Sequence, residues 1–261
     1  MSDVSRLADI VARLRAPDGC PWDREQTHES LRAALVEECY EAVEAIVRAD
    51  DDNLREELGD LLLHVVMHAH MAGERRAFTL EDVVEGVCEK LVRRHPHVFG
   101  NTAASDAGEV LKQWEQIKRA EKGDGASVMD GLPSSLPALM RAQNAQKKAA
   151  RVGFDWGSAD GVFDKMREEL AELEAAQASG TSREIEQELG DVLFTAVNLA
   201  RHLGVDAETA LAESTSKFIR RFQSMEALAE KDGRRVEECD ARALDDLWNE
   251  VKAAGNLSDL K

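Results

Sequence analysis

Acidic residues in this 261-residue chain fall into a pattern that occurs twice. Glu38 and Glu41 are followed by Glu57 and Asp60; 131 positions further on stand Glu169 and Glu172, then Glu188 and Asp191. A further acid precedes each set, Glu37 in the first and Glu168 in the second. The two blocks align without a gap, although between Glu41 and Glu57 the only other match is Ala45 with Ala176. Within each pair the spacing is three, which puts both carboxylates on one helical face. Carboxylates held together repel one another and are costly to bury uncompensated. Hard divalent cations relieve this, and Mg²⁺ takes a few carboxylates together with water and phosphate oxygens. The chemistry implied is metal-assisted attack on a polyanion. The plainer alternative is two solvated acidic faces.

Two cationic motifs follow each acidic block. Lys90 and Arg94 are four apart, as are Lys217 and Arg221, with Arg220 beside the latter. Trp114 and Lys118 are four apart, as are Trp248 and Lys252. Arginine binds phosphate through a two-pronged fork, lysine acts as a point charge, and tryptophan can stack on a nucleobase. Taken singly, each motif also fits a salt-bridged surface helix or a core tryptophan.

The elements that must position these groups are helices. Glu41 and Glu57 are equidistant from position 49, as are Glu38 and Asp60; in the second copy Glu172 and Glu188, and Glu169 and Asp191, centre on Gly180. In an antiparallel hairpin such residues lie at the same height. Asp50 to Asn53 suits a helix break with a new N-cap, and Gly180 with Thr181 and Ser182 suits a C-cap followed by an N-cap. Leu7, Ile10, Val11 and Leu14 recur at helical spacing, as do Leu31, Leu35, Cys39, Val43 and Ile46, and then Leu58, Leu62, Val65 and Val66. No stretch alternates at period two, so no sheet is expected. Breaks fall at 15–21, 50–53, 95–101 and 122–126. The last runs on to Pro137 with Gly, Asp, Ser and Pro, and reads as a connector. The expected layout is a first domain at 1–122, a linker at 123–137 and a second domain at 138–261.

Composition agrees. Hydrophobic residues are 43%, charged residues 32% and aromatics 5%, which suits a packed, helix-rich chain rather than disorder. A net charge of −18 argues against a duplex nucleic acid as partner. The four cysteines form no Cys-x-x-Cys pair, so a reduced, cytoplasmic protein is expected. The N-terminal residues lack a signal-type apolar core, and the apolar run from Leu61 to Ala72 is too short to span a bilayer. His64 and His68 have metal-ligand spacing, but their second-copy positions are Thr195 and Leu199, so they read as packing residues. Trp22 and Trp156, each ahead of an acidic block, read as core anchors.

Together these residues resemble the MazG-type nucleoside triphosphate pyrophosphohydrolases. The resemblance rests on Gly19-Cys20-Pro21-Trp22-Asp23, both acidic blocks, the run from Arg93 to Phe99, the run from Val152 to Trp156, the run from Lys217 to Phe222, and Trp248 with Lys252. It covers nearly the whole chain. It implies an all-α fold of tandem four-helix units completed by dimerisation into a homodimer. It implies Mg²⁺-dependent (or Mn²⁺-dependent) hydrolysis of nucleoside triphosphates to monophosphate and pyrophosphate, with broad base tolerance and a role in clearing unwanted nucleotides. Carried over by motif, Glu169, Glu172, Glu188 and Asp191 are the metal ligands, and Glu38, Glu41, Glu57 and Asp60 form a second such set. Lys217, Arg220 and Arg221 bind phosphate, and Trp248 with Lys252 sit at the nucleotide. Glu168 or a ligand carboxylate takes the proton from the attacking water. The resemblance also points to the C-terminal copy as the active one.

Two rival readings remain. A di-iron carboxylate bundle uses Glu-x-x-His pairs, but the only one here is Glu25 with His28, ahead of the hairpin. A non-catalytic regulatory or interaction protein would explain acidic faces but not their doubled spacing.

Overall fold

The computed structural model describes residues 4–122, 125 and 127–258. Gly123, Asp124 and Ala126 of the expected linker lie outside the described residues, as do the last three of the second expected domain. All regular structure among the described residues is helical, as the periodicity predicts. The chain divides into two compact units, Met1–Asp124 and Gly125–Lys261. No described helix is long and apolar enough to cross a membrane.

The first unit contains α1 (Val4–Arg15), the short α2 (Pro21–Glu25), α3 (Arg32–Arg48), α4 (Asp51–Glu74), α5 (Leu80–Arg94), the single turn α6 (Pro96–Phe99) and α7 (Ala107–Lys122). Helices α3 and α4 form the expected hairpin, and α1 packs along α4. Val11, Leu31, Val66, Met67 and Met71 make the core, with Leu7 and Leu63 against it. Arg15 ties this end together from a nearly buried position. Its guanidinium reaches Glu74 at 3.0 Å and the Gln26 carbonyl at 3.1 Å. Helix α5 begins in a capping box between Thr79 and Asp82 and stops at Arg94, because Pro96 disfavours helical backbone at His95.

The second unit contains α8 (Ala138–Ala150), α9 (Ala159–Ser179), α10 (Ser182–His202), α11 (Ala207–Lys231), a 3-10 turn at Val236–Glu238 and α12 (Ala241–Ser258). Again a hairpin, α9 with α10, packs on a preceding helix, α8. Gln143 and Gln146 of α8 are buried and hold it there: Gln143 donates to the Val205 carbonyl and Gln146 to the Phe194 carbonyl, both at 2.8 Å. Met225, Ala229, Leu247 and Val251 form a core between α11 and α12, with Trp248 against it.

The apolar spacing finds the helices and, with Leu31 and Val66, part of the core, but not the whole of the buried face. Ala42 and Ala45 are buried, while Val36, Tyr40, Val43 and Val47 form an exposed row along α3, and Leu58, Leu62 and Val65 another along α4. The tryptophans expected as core anchors are also exposed. Trp22 is 64% accessible at the start of α2, and Trp156 lies over Gly161, where a Cβ would meet its ring at 2.7 Å.

Candidate metal centre

Each hairpin turn sets the phase of its two acidic helices. In the first, Ala49 adopts a left-handed conformation (φ 53°) to close α3, and the Asp50 side chain accepts from the Asn53 amide at 3.1 Å to start α4. In the second, Gly180 closes α9 in extended backbone. Glycine is needed there for space, since a Cβ would stand 2.6 Å from the Ala176 carbonyl oxygen. Thr181 then opens α10 in a capping box with Glu184. Both turns fall where the symmetry of the acids places them.

The outcome is the same group of carboxylates twice. Oxygens of Glu38, Glu41 and Glu57 lie within 4.8 Å of one another, and so do those of Glu169, Glu172 and Glu188. Glu57 and Glu169 are buried; Glu41 and Glu172 are exposed. The fourth acid of each set stands off from this trio. Asp60 still raises the pKa of Glu38 through its charge, and Asp191 is exposed one turn beyond Glu188. Glu168 is exposed and hydrogen-bonded to Lys165.

Electrostatics separate the two groups. In the first, burial pushes the Glu38 carboxyl up to about 7, with Asp60, Glu41 and Glu57 adding to the effect. Burial also raises Glu57, with Glu41 next in importance. Like charges in partial burial favour protonation, so the Glu38 carboxyl is drawn towards its protonated form until something else neutralises the group. In the second, Lys165 sits one turn ahead of the acids, 2.6 Å from Glu168 and 2.8 Å from Glu169. Burial still raises Glu172, but Lys165 works against the rise. Sequence reasoning missed Lys165, although its i, i+4 spacing to Glu169 was a visible signal. Such a donor set, oxygen-only and short of positive charge, fits a hard divalent cation.

The cationic residues occupy α11 and α12 as the spacing requires. Lys217 and Arg220 are exposed and Arg221 is half-buried. Among the described residues no ion pair engages these three, and no hydrogen bond joins them to the acids. Trp248 packs against Phe218 with ring centroids 5.3 Å apart, and Lys252 follows one turn later, half-buried. The first unit differs. Arg94 and Lys118 lie over the Trp114 ring, at 5.2 Å and 4.6 Å from its centroid, and Arg93 and Arg94 both bind Glu121. His64 is buried on α4, and His28 and His68 meet through their Nδ1 atoms at 2.7 Å. Among the described residues these histidines belong to neither carboxylate group.

Comparison with known proteins returns the same two segments. The sequence profile of the MazG nucleotide pyrophosphohydrolase domain matches residues 26–99 and 159–225, each containing one complete acidic set and one lysine–arginine pair. A Thermotoga maritima protein described as nucleoside triphosphate pyrophosphohydrolase/pyrophosphatase MazG is 51% identical over 247 residues, 94% of this chain and 94% of the relative. A nucleoside triphosphate pyrophosphohydrolase of Escherichia coli is 47% identical over 257 residues, 97% of this chain and 98% of the relative. A protein of that description from Mycolicibacterium smegmatis is 40% identical over 154 residues, 57% of this chain and 47% of the relative.

Proposed function

Because the chain belongs to the MazG nucleotide pyrophosphohydrolase family, we propose that it hydrolyses nucleoside and deoxynucleoside triphosphates to monophosphate and pyrophosphate, with broad base tolerance, and so clears unwanted nucleotides from the pool. The observation that carries this is the trio Glu169, Glu172 and Glu188, whose carboxylates lie within 4.8 Å of one another. These three, with Asp191 one turn on, would hold Mg²⁺ or Mn²⁺. A bound ion supplies charge neutralisation at the polyphosphate and lowers the pKa of water. Lys217, Arg220 and Arg221 are the phosphate ligands, meeting the charge that builds on departing pyrophosphate. Trp248 and Lys252 border the nucleoside. Glu168, next to Glu169, is a candidate acceptor for the proton of the attacking water.

The two copies divide the work in this reading. The C-terminal unit turns over substrate, because Lys217, Arg220 and Arg221 carry no ion pair among the described residues. The N-terminal unit assembles a homodimer. Its exposed row Val36, Tyr40, Val43 and Val47 becomes Arg167, Ala171, Glu174 and Ala178 at the matching second-copy positions, so this apolar row of α3 is not repeated on α9. Large exposed apolar rows of this kind mark surfaces meant to be covered. Residues 1–122 and 138–261 are the working domains, joined by 123–137, and the protein acts in the cytoplasm.

The test is hydrolysis of ATP with Mg²⁺ in ¹⁸O-labelled water. AMP and pyrophosphate should form, with the label in AMP, since water attacks the α-phosphorus. ADP and free phosphate as products would overturn the proposal.

A further inference from the structure

Helices α5 and α7 of the N-terminal unit carry the same cationic motif as α11 and α12, yet its groups are already engaged. Glu121 Oε1 accepts from Arg93 Nε at 2.7 Å. Its two oxygens also accept from Arg94 Nε at 3.3 Å and 3.2 Å, and Oε2 accepts from a terminal Arg94 nitrogen at 2.5 Å. One carboxylate thus lies across two guanidinium groups, the arrangement a phosphate oxygen pair would adopt. Trp114, between Arg94 and Lys118, has cations where a base would stack.

Among the described residues the second copy lacks this device. Trp114 and Lys118 recur 134 positions later as Trp248 and Lys252, and the same step carries Glu121 onto Gly255, which has no side chain. Arg93 and Arg94 recur as Arg220 and Arg221, which make no ion pair among the described residues. At the matching positions, glutamate against glycine accompanies an arginine pair that is occupied in one copy and open, among the described residues, in the other.

We propose that the N-terminal unit holds a second polyphosphate-binding site, formed by Arg93, Arg94 and Lys90, which Glu121 keeps filled as an internal anion. This rests on the reading that the matching C-terminal cations bind phosphate. The Glu121 carboxyl is drawn down to about 2, first by Arg94 and then by Arg93, so it remains an anion at every pH where the enzyme would work. An incoming polyphosphate must displace an ion that is tethered and already hydrogen-bonded to both guanidinium groups. The site stays closed in the native chain and opens when that charge is removed.

Calorimetric titration of the full chain with inorganic tripolyphosphate and Mg²⁺ tests this. The native protein should bind one ion per chain and Glu121→Gln two. Glu121→Gly, which copies Gly255, should behave like Glu121→Gln; Glu121 lies near the end of α7, and a circular-dichroism melt checks folding. Adding Arg94→Gln to Glu121→Gln should return the count to one. Two ions bound by the native chain, no gain in either Glu121 variant, or a gained site that survives Arg94→Gln would each overturn the inference. No binding by the native chain with one ion gained in Glu121→Gln would sink the phosphate role of Lys217 and Arg221 but support the closed N-terminal site.

Discussion

Lys165 Nζ lies 2.8 Å from the Glu169 carboxylate, inside a group of acids that would otherwise stand uncompensated. The matching first-copy position is Ala34, and there Glu38 is pushed to about 7 instead. The two copies meet the same repulsion differently, one with a tethered ammonium and the other with a carboxyl drawn towards its protonated form.

An arriving divalent ion must therefore displace Lys165 from Glu169. Lys165→Met removes the competitor while keeping much of the apolar stem. The metal-free variant should melt lower than native protein, and Mn²⁺ should raise its melting temperature by more, because bound ligand stabilises by mass action. A smaller or equal metal shift would show that Lys165 and the ion do not compete.

In the first copy the sign of the pH effect follows from Glu38. Its folded pKa, about 7, lies above the ordinary 4.5, so between those values the folded state holds a proton that the unfolded chain has released. Stability supplied by this group is present at pH 4.5 and below and is lost as pH rises through 7. In chelator, Glu38→Gln should flatten the decline in melting temperature between pH 5 and 8. Mg²⁺ should stabilise native protein more at pH 8 than at pH 6, where the proton competes. An identical slope in variant and native protein would refute this account of the first trio.

The division of labour predicts unequal effects of equal changes. Glu172→Gln and Glu41→Gln each remove one charge with little change of volume. The first should lower kcat by more than about a hundredfold, as expected for loss of a metal ligand, and the second should leave turnover within about threefold of native. Steady-state kinetics on ATP decide it; equal losses would mean that both copies work.

The exposed row on α3 predicts the assembly. Val43 and Val47 stand 45% and 49% accessible with Val36 and Tyr40 in line. Val43→Glu should convert a dimer into monomers in sedimentation velocity runs, whereas Glu174→Ala at the matching second-copy position should leave assembly unchanged. A dimer that survives Val43→Glu would place the interface elsewhere.

Hairpin, turn and acid pairing were legible because each follows from spacing along one chain. Helical period fixes which carboxylates share a face, and symmetry about positions 49 and 180 fixes which faces meet. Burial was less legible. Val43 and Ile46 look like core residues by period, but Ala42 and Ala45 are the ones covered. Trp22 fails as a core anchor because it opens the short helix α2, which leaves its ring 64% accessible. Lys165 and Glu121 were visible as letters, but their roles depend on which oppositely charged group each helix brings within reach.

The joint between the acidic helices has exchangeable chemistry and a fixed length. Ala49 and Asp50 in one copy stand where Gly180 and Thr181 stand in the other, left-handed backbone replaced by an extended glycine, yet Glu57 and Glu188 each arrive with carboxylate oxygens within 4.8 Å of their partners. One residue more or fewer would turn the following helix by about 100° and slide it by about 1.5 Å. The joint thus works as a gear coupling, in which the material of the teeth matters less than their number. A single-codon insertion or deletion at 49–50 or 180–181 is the lesion that would take two carboxylates out of mesh at once while leaving each helix intact.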